Sequence, residues 1–383
     1  MKPLDGVRVL DLSRVLSGPF ATMHLADMGA DVVKLEHPKG GDDARAFGPP
    51  FIAGESTYFM SVNRGKRSVA LDLKSERGRE VVRALARVSD VCVENFRPGT
   101  LERLGLGLDG LRAENPRLVT CSITGYGQSG IREFSAKPGY DLIIQGLCGV
   151  QSLTGDPAGP PMKTGVSIAD LASGLYAVQG ILLALLVREK TGRGQHVDVS
   201  LQDALTSLLT FQAASTMTSG RTATRAGNRH PSIVPYETFR AADGYFNLAA
   251  ANDGHFRKAC EAIGRPDLAR DVRFATNPDR VAHRDALFEE LQAAFMTAPV
   301  DSWVSKFEAA DIPAGRINTV AEALAHPQLR ARGMVTTVKH PVTGDVPQIG
   351  IPVKLAETPG ALDRPPPRLG EHTAEILAML GIS

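Results

Sequence analysis

The chain has 383 residues, of which 43% are hydrophobic and 22% are charged, and its formal net charge is +1 at pH 7. The length exceeds the usual range of one domain, so we expect two domains, and the composition excludes a disordered chain. A nearly neutral charge gives no reason to expect nucleic acid or a membrane surface as a partner.

Neither the cysteines nor the amino terminus indicates export. The four cysteines are scattered and form no CxxC pair, and Cys92 and Cys121 lie in apolar, strand-like runs. Such thiols behave as small hydrophobic residues, and their pattern favours a reducing compartment. Residues 1–6 lack the apolar core of a signal peptide. We therefore expect a cytoplasmic protein.

The first third of the chain alternates between strand-like and helical segments. Residues 7–12 predict a strand, 19–28 a helix and 31–35 a second strand, a βαβ unit that implies a parallel sheet. After a Gly/Pro-rich loop the alternation continues through 68–73 (strand), 75–88 (helix), 90–95 (strand), 101–111 (helix) and 117–124 (strand). Repeated units of this kind predict an α/β fold with a Rossmann-like open parallel sheet in a large domain. The loop after the first strand lacks the GxGxxG fingerprint, so this sheet binds another ligand or binds a dinucleotide differently.

Polar and basic side chains follow the predicted strands, where ligands of open parallel sheets bind. They are Ser13, Arg14, Glu36, His37, Lys74, Asn95, Phe96, Arg97 and the segment Gly125–Gly127. These groups form a candidate binding rim, although loops are polar in most proteins.

The next segments contain the most hydrophobic part of the chain. A helix is predicted from Asp141, and an apolar run of about 17 residues follows at 171–187, at the short limit for a bilayer span. Gly174 and Gly180 interrupt this run, so we interpret it as a buried core helix. A strand at 196–200 and a further helix follow.

The pattern changes after residue 220. A Gly/Pro/Arg-rich linker at 221–235 leads to an alternating segment, 236–249, with a hairpin signal at its centre. Helices are predicted at 255–263, 281–296 and 300–310, and later strand-like stretches and a helix at 372–380 could return to the first domain. The predicted division is a large domain at 1–220, a smaller α+β domain at 221–330, and a return to the large domain at 331–383.

Asp170 stands at the start of the apolar helix, and its position has two interpretations. Ser167 or Asp170 could cap the helix, because an acidic or hydroxyl side chain is favoured in that first turn. The other interpretation is a nucleophilic carboxylate, one of the few side chains able to form an acyl intermediate. Spacing alone favours the cap. The nine histidines never fall at ligand spacing with cysteine or carboxylate partners, so no metal site is predicted.

Several sequence blocks in a fixed order resemble the class III coenzyme A transferases, a family that also holds the α-methylacyl-CoA racemases. The blocks are VLDLSRVLSGPFAT (9–22), ADVVKLE (30–36), VENFRPG (93–99), SITGYGQ (122–128) and KTGRGQ (190–195). The resemblance runs nearly end to end. It implies a Rossmann-like large domain, a smaller domain, and an interlocked homodimer in which Ser232–Tyr236 approaches the partner's site. It also implies acyl-CoA and a carboxylic acid as substrates, with no tightly bound cofactor.

The resemblance identifies Asp170 as the nucleophile, because IADLASG at 168–174 matches the family's catalytic pattern. The implied mechanism passes through a mixed anhydride on Asp170 and then an aspartyl-CoA thioester. The racemases have histidine before an aspartate, in a Gly-His-Asp triplet, where this chain has Tyr140 before Asp141. Tyrosine, with an ordinary pKa near 10, is a poor base for an α-proton, so the transferase branch is favoured.

The resemblance also carries substrate contacts onto this chain. The implied coenzyme A contacts are Val15, Leu16, His37, Lys74, Asn95, Phe96, Arg103, Lys137 and Tyr140. The blocks around Arg45 and Arg64 look most like those of succinyl-CoA:dicarboxylate members. A bidentate arginine suits the far carboxylate of such an acid, so both are candidates, with a structural ion pair to Asp42, Asp43 or Glu55 as the alternative.

Three functions remain open from the sequence. The first is transfer of coenzyme A from a donor such as succinyl-CoA to a small dicarboxylate. The second is racemisation of a 2-methylacyl-CoA, against which Tyr140 argues. The third is non-catalytic binding of acyl-CoA, which has no need of Asp170.

Overall fold

The computed structural model describes residues 1–382, which form two compact units. The larger unit comprises Met1–Val150, Lys163–Gly220 and the chain from Pro327 onward. The smaller unit comprises Gln151–Met162 and Arg221–His326. Each unit has a hydrophobic core of its own.

One segment departs from the predicted domain ranges. Residues 151–162 were expected in the large domain, yet they belong to the smaller unit. The reason is a pair of hydrogen bonds from the Arg225 guanidinium to the carbonyls of Asp156 and Gly159, at 3.1 and 2.8 Å. These bonds tie the segment to the chain that follows residue 220.

A parallel sheet forms the centre of the larger unit. The portion of the larger unit that precedes residue 220 contains eight strands: β1 (Arg8–Asp11), β2 (Asp31–Glu36), β3 (Phe51–Ile52), β4 (Glu55–Ser56), β5 (Lys66–Ala70), β6 (Val91–Glu94), β7 (Val119–Thr124) and β8 (His196–Ser200). Six of them form one sheet in the order β5-β2-β1-β6-β7-β8, with every neighbouring pair parallel. The predicted open parallel sheet is therefore confirmed. The chain winds outward from β1 on one side and from β6 on the other, so a ligand crevice is expected at the ends of β1 and β6.

Helices cover both faces of this sheet. The helices of the chain before residue 220 are α1 (Ser17–Asp27), α2 (Thr57–Val62), α3 (Glu76–Val88), α4 (Thr100–Arg103), α5 (Leu108–Glu114), α6 (Arg132–Ser135), α7 (Asp141–Leu147), α8 (Val150–Leu153), α9 (Ile168–Thr191), α10 (Leu201–Ser207) and α11 (Thr210–Ser219). Residues 151–153 of α8 belong to the smaller unit. Alternate strand residues face opposite cores, as the two-residue period of a strand requires. Val91 and Val93 pack with α1 and α9, whereas Cys92 between them packs with α3 and α5.

Helix α9 is the one helix within residues 1–382 that is long and apolar enough to cross a membrane. In this fold one side of it packs against α1 and the sheet. The glycines that interrupt its sequence allow this approach. A Cβ at Gly174 would lie 2.9 Å from the Ser17 carbonyl oxygen, and one at Gly180 would lie 2.6 Å from Val197. The opposite side of α9 remains exposed, with Leu183 at 54% and Leu186 at 62%.

The smaller unit has an antiparallel sheet and a helical layer. Its elements are β9 (Tyr236–Arg240), β10 (Tyr245–Ala249), α12 (Asp253–Ala262), α13 (Asn277–Ala282), α14 (Arg284–Phe295), α15 (Val300–Ala309), β11 (Ala314–Arg316) and α16 (Val320–Ala325). The strand order is β11-β10-β9, and β9 and β10 form the predicted hairpin. Its core is aromatic: the rings of Phe239, Phe246 and Phe295 lie within about 6.3 Å of one another.

The carboxyl-terminal segment contains α17 (Pro327–Ala331), β12 (Val335–His340), β13 (Gly344–Ile349) and α18 (Thr373–Met379). Residues 327–330, expected in the smaller domain, belong to the larger unit, where the Met334 amide donates to the Leu329 carbonyl at 2.8 Å. Ile376 of α18 is buried in the core beside α3. The His372 amide donates to the Ser68 carbonyl, which docks α18 on the edge strand β5.

Candidate active site

Asp170 is the third residue of α9, yet its side chain does not cap the helix. Ser167 is the residue before the first turn, and its hydroxyl makes no capping hydrogen bond. The cap comes from Asp141, whose Oδ1 accepts a hydrogen bond from the Ala169 amide at 2.9 Å. Within residues 1–382, no group donates a hydrogen bond to the Asp170 carboxylate. Both capping assignments made from the spacing are therefore wrong, and the Asp170 carboxylate stays available to a ligand.

The charge of Asp141 also acts on Asp170. Burial and, secondly, the negative charge of Asp141 raise the pKa of Asp170 to about 7. Asp141 is held in place because its second oxygen accepts from Gln145 Nε2 at 2.7 Å, and Gln145 in turn accepts from the Thr164 amide at 2.9 Å. Asp170 is thus a carboxylate whose charge is destabilised by its surroundings, as is typical of reacting groups.

Asp170 opens onto a cavity of about 340 Å³ at the carboxyl ends of β1, β6 and β7. The expected coenzyme A contacts that line this cavity are Val15, Leu16, Asn95, Phe96, Lys137 and Tyr140. Asn95 also joins two of the strand ends, because its side chain donates to the Arg14 carbonyl and accepts from the Arg14 amide, at 2.7 and 2.8 Å. The fold therefore brings six of the nine expected coenzyme A contacts to the same space as Asp170.

A second, more apolar cavity of about 260 Å³ adjoins the first and shares Arg14, Phe96 and Thr100 with it. Two other expected contacts, His37 and Lys74, line this second space. Arg103 lines neither cavity. It lies at the end of α4, where its guanidinium donates to the Thr100 hydroxyl at 2.9 Å.

Two further cations line the cavity of Asp170. Arg14 and Arg97 belong to the strand-end rim noticed in the sequence, but neither was assigned a role. The Arg14 guanidinium lies 5.5 Å from the centre of the Phe96 ring and 3.4 Å from Asp43, so it is only loosely paired. Their positions directly after β1 and β6 are the sequence signal that could have identified them, since those strands flank the crevice.

Tyr58 lines neither cavity, but its phenol interacts electrostatically with the carboxylates of the site. Burial raises the pKa of its phenol to about 12, and the charges of Asp170, Asp42 and Asp141 add to this effect. Such coupling requires the phenol to lie near the two carboxylates of the site. The Phe47 ring packs edge-on against the Tyr58 ring, with the ring centres 5.3 Å apart. The short β3–β4 pairing brings these two rings together.

The structure does not bring Arg64 to the cavity. Its guanidinium donates to both oxygens of Asp27 at 2.9 and 2.7 Å and to Gln348 at 3.1 Å, and its side chain is 3% exposed. Removing a buried guanidinium from its carboxylate costs several kcal/mol, about 3–5 in measured cases. Arg64 is therefore a structural residue here, with a partner other than the three carboxylates considered from the sequence.

Arg45 is likewise engaged in a structural ion pair. Its Nε and Nη2 donate to the two oxygens of Glu36 at 2.6 and 2.7 Å, and its guanidinium stacks 3.6 Å from the centre of the Phe59 ring. Glu55, one of the partners considered from the sequence, lies 3.6 Å away. Glu36 is buried and needs this charge partner, so the Arg45 guanidinium is not free to bind an acid.

Within residues 1–382, no group of three or more histidine, cysteine or acidic residues is arranged to hold a metal ion. The chemistry that the site itself offers is that of an unbonded carboxylate, Asp170, with three cations on the rim: Arg14, Arg97 and Lys137. An open parallel sheet with such a crevice is typical of α/β proteins that bind an anionic ligand.

Comparison with known proteins places the chain more closely. The family model for CoA-transferase family III matches residues 4–373. The chain belongs to CoA-transferase family III and is therefore an enzyme that transfers coenzyme A.

The chain is similar over nearly its full length to proteins of known name. It is 44% identical over 384 residues to the succinate–glutarate CoA-transferase of Agrobacterium fabrum, covering 99% of this chain and 96% of that protein. It is 41% identical over 377 residues to the human succinyl-CoA:glutarate CoA-transferase, covering 98% of this chain and 86% of that protein. A crystal structure of a CAIB/BAIF family protein from Brucella suis matches with a TM-score of 0.89 at 44% identity, covering 99% of both chains.

Proposed function

We propose that the protein moves coenzyme A from an acyl-CoA donor such as succinyl-CoA to a small dicarboxylic acid, with Asp170 as the nucleophile. The observation that carries this proposal is the Asp170 carboxylate itself, which lines the cavity and accepts no hydrogen bond from any of residues 1–382. Two relatives at 41–44% identity are named for transfer between succinate and glutarate, which supports a dicarboxylate acceptor. We also propose a cytoplasmic location, consistent with four free, buried cysteines.

Coenzyme A would occupy the two adjoining cavities. Phe96 borders both and offers an aromatic face to the adenine ring, with Lys74 and His37 beside it. The phosphates would bind among the three cations of the rim, Arg14, Arg97 and Lys137. Arg103, at the end of α4, lines neither cavity and would reach only a phosphate that extends beyond them. The pantetheine arm would then pass Val15 and Leu16 and bring the thioester to Asp170.

The reaction would proceed by exchange of acyl groups on Asp170. Its carboxylate oxygen attacks the thioester carbonyl carbon, the C–S bond breaks, and the coenzyme A thiolate leaves a mixed anhydride behind. The thiolate attacks the Asp170 carbonyl carbon, which releases the donor acid and forms an aspartyl-CoA thioester. The acceptor carboxylate displaces the thiolate to form a second anhydride. The thiolate then attacks the acceptor's acyl carbon, and Asp170 is regenerated as a carboxylate.

The electrostatics of the site suit this sequence. A desolvated carboxylate beside Asp141 loses an unfavourable charge when it attacks, because the acylated side chain is neutral. Cations on the rim would hold the thiolate between its two attacks. Both anhydrides are vulnerable to water, so a site that excludes water favours transfer over hydrolysis.

Racemisation finds no support at Tyr140. This residue takes the position of the racemases' histidine, and its side chain is 68% exposed at the start of α7. Tyrosine is a poor base for an α-proton, unlike the histidine of the racemases. Asp170 and its cavity in turn argue against a protein that only binds acyl-CoA.

We also propose that two copies of the chain form the interlocked dimer implied by the resemblance. The larger unit exposes many large apolar side chains on α7, α9 and α11, which we call the apolar face. So much exposed apolar surface is unusual for a monomeric protein. The most exposed members of the apolar face are Leu147, Leu175, Leu183, Leu186, Phe211 and Met217. A second copy of the chain would cover this face and bring its Ser232–Tyr236 segment to the site. Sedimentation analysis should show a dimer, and a monomer at micromolar concentration would refute it.

The nucleophile can be tested directly. The protein is incubated with succinyl-CoA and then with hydroxylamine, which converts an acylated aspartate into a hydroxamate, and peptides are analysed by mass spectrometry. We expect the modification on Asp170 and its loss in Asp170→Asn. Unmodified Asp170 together with retained coenzyme A binding would favour the non-catalytic alternative.

A further inference from the structure

Val15 has an unusual backbone for its residue type. Its φ is 68°, in the left-handed region, although its side chain is β-branched. Such a conformation costs about 1–3 kcal/mol and persists only where the surroundings impose it. Val15 lies between β1 and α1 and lines the same cavity as Asp170. The strain is thus located at the site itself.

Side chains bind the backbone at this residue and at the two residues before it. The Ser13 amide donates to Asp11, the Ser13 carbonyl accepts from Lys34, and both polar groups of the Arg14 backbone are bonded to Asn95. The Val15 amide donates to Asp42 at 3.0 Å. The loop after β1 is therefore held by side chains from elsewhere in the fold.

Asp42 is the member of this set that acts on Val15 directly. Its carboxylate also accepts from the Ala44 amide at 3.0 Å and pairs with Lys34 Nζ at 2.9 Å, and both charged side chains are fully buried. A buried ion pair is weak evidence of a contribution to stability, because desolvation offsets most of the attraction. Lys34 also binds the Ser13 carbonyl, at 2.7 Å. The Lys34–Asp42 pair therefore binds the backbone of the loop at two residues, the Ser13 carbonyl and the Val15 amide.

The loop leads directly to the surface beside Asp170. Leu16 and Ser17 follow Val15 and line the cavity. The Ser17 carbonyl oxygen would lie 2.9 Å from a Cβ at Gly174, one turn along α9 from Asp170. A change of the Val15 backbone would consequently move Leu16 and Ser17 relative to the nucleophile.

We propose that Asp42, paired with Lys34, is a positioning residue that holds Val15 in its left-handed conformation and so aligns the segment Val15–Ser17 with Asp170. This role rests on the proposed function of Asp170 as nucleophile. Asp42 borders the second cavity, but its fully buried carboxylate is already bonded to the Val15 amide, the Ala44 amide and Lys34, so we place it beside the substrate and not in contact with it. Asp42 acts through the Val15 amide, so we expect its substitution to change kcat more than the KM for the acyl-CoA.

The test compares the intact protein with Asp42→Asn, Val15→Gly and the double variant, in transfer from succinyl-CoA to a dicarboxylate. Asparagine has one acceptor oxygen where Asp42 uses two, so its NH2 group must face either the Lys34 ammonium or the Val15 and Ala44 amides. Asp42→Asn should therefore lower kcat about 10- to 100-fold, as expected for misplaced reacting groups, with a smaller change in the KM for succinyl-CoA. Glycine adopts a left-handed backbone without steric cost. Adding Val15→Gly should therefore raise the kcat of Asp42→Asn about tenfold, a coupling typical of contacting residues.

Asp27→Asn is the matched control. Asp27 is as deeply buried as Asp42 and pairs with Arg64 at 2.7 Å, but it does not line the cavity of Asp170. Its substitution should lower the melting temperature and leave the kcat per folded molecule unchanged, with no benefit from Val15→Gly. If Asp42→Asn behaves in the same way, Asp42 is a structural residue and the proposal fails.

Two further measurements keep the test decisive. Should Asp42→Asn not fold, Val15→Gly is compared with Val15→Ala, since only glycine relieves the left-handed backbone. We expect the glycine variant to have the higher melting temperature, and the opposite order would overturn the proposal. Hydroxylamine trapping on Asp170 in the unmodified protein tests the nucleophile separately, so failure of the two ideas can be told apart.

Discussion

Asp141 performs for helix α9 the capping role that the sequence offered to Asp170. Its carboxylate accepts a hydrogen bond from the Ala169 amide. Its negative charge also adds to the effect of burial, and together they raise the pKa of Asp170 to about 7. One acidic side chain thus frees the other from the backbone and destabilises its charge.

Transfer activity should depend on pH through Asp170. A protonated carboxyl cannot attack a thioester, so kcat/KM should rise with pH and level off above the pKa of about 7. Asp141→Asn removes the neighbouring charge and should move this rise to lower pH, while an amide oxygen remains to accept the Ala169 amide. Initial rates of both proteins between pH 5 and pH 9 would measure this shift of the kcat/KM profile. An identical profile for both proteins would mean that Asp141 does not influence Asp170.

The same raised pKa has a consequence for stability. The Asp170 carboxyl has its pKa at about 7 in the folded chain, against an ordinary value of 3.8. The folded state therefore binds more protons between these values, and stability decreases as pH rises through that window. Asp170→Asn cannot ionise, so it should melt a few degrees higher than the unmodified protein at pH 8. The difference should shrink towards pH 5, and calorimetry at both pH values measures it. A difference independent of pH would contradict the assignment.

Tyr58→Phe tests the phenol near the two carboxylates. If the hydroxyl assists the acyl intermediates on Asp170, its removal should lower kcat/KM about tenfold, the usual loss for one hydrogen bond to a charged group. Tyr245→Phe changes an exposed tyrosine of the smaller unit and serves as the control. Equal activity of both variants would remove Tyr58 from the site.

Arg64→Ala should affect stability and not the acceptor acid. The substitution leaves the buried Asp27 carboxylate without its partner, which costs about 3–5 kcal/mol of folding free energy in comparable cases. The melting temperature should fall, while the KM for the acceptor acid of the folded fraction stays the same. A raised KM at unchanged stability would restore Arg64 as an acceptor-binding residue.

Arg97→Ala should weaken binding of the acyl-CoA. Arg97 lines the cavity of Asp170. Loss of one charged contact to a phosphate should raise the KM for the acyl-CoA about tenfold. Arg87→Ala is a suitable control, because Arg87 forms an exposed ion pair with Glu114 at 2.8 Å, away from the cavity. Similar KM values for both variants would place the phosphates elsewhere.

Much of the fold was predictable because it is encoded in local patterns. The alternation of strands and helices before residue 130 predicted the parallel sheet, and the Asp243–Gly244 signal predicted the hairpin of β9 and β10. The segment 151–162 was assigned to the wrong unit because it has no periodicity of its own. What ties it down is Arg225, about 70 residues further along the chain.

By itself, the sequence determined the family, the α/β class and the position of Asp170 at the start of an apolar helix. Only the tertiary structure decided which charges are free. Arg64 looked available until folding paired it with Asp27, 37 residues earlier, and with Gln348, 284 residues later. The physical reason is that a short motif fixes residue type and helical position, whereas a charged group's partners and desolvation depend on chain segments brought together from a distance.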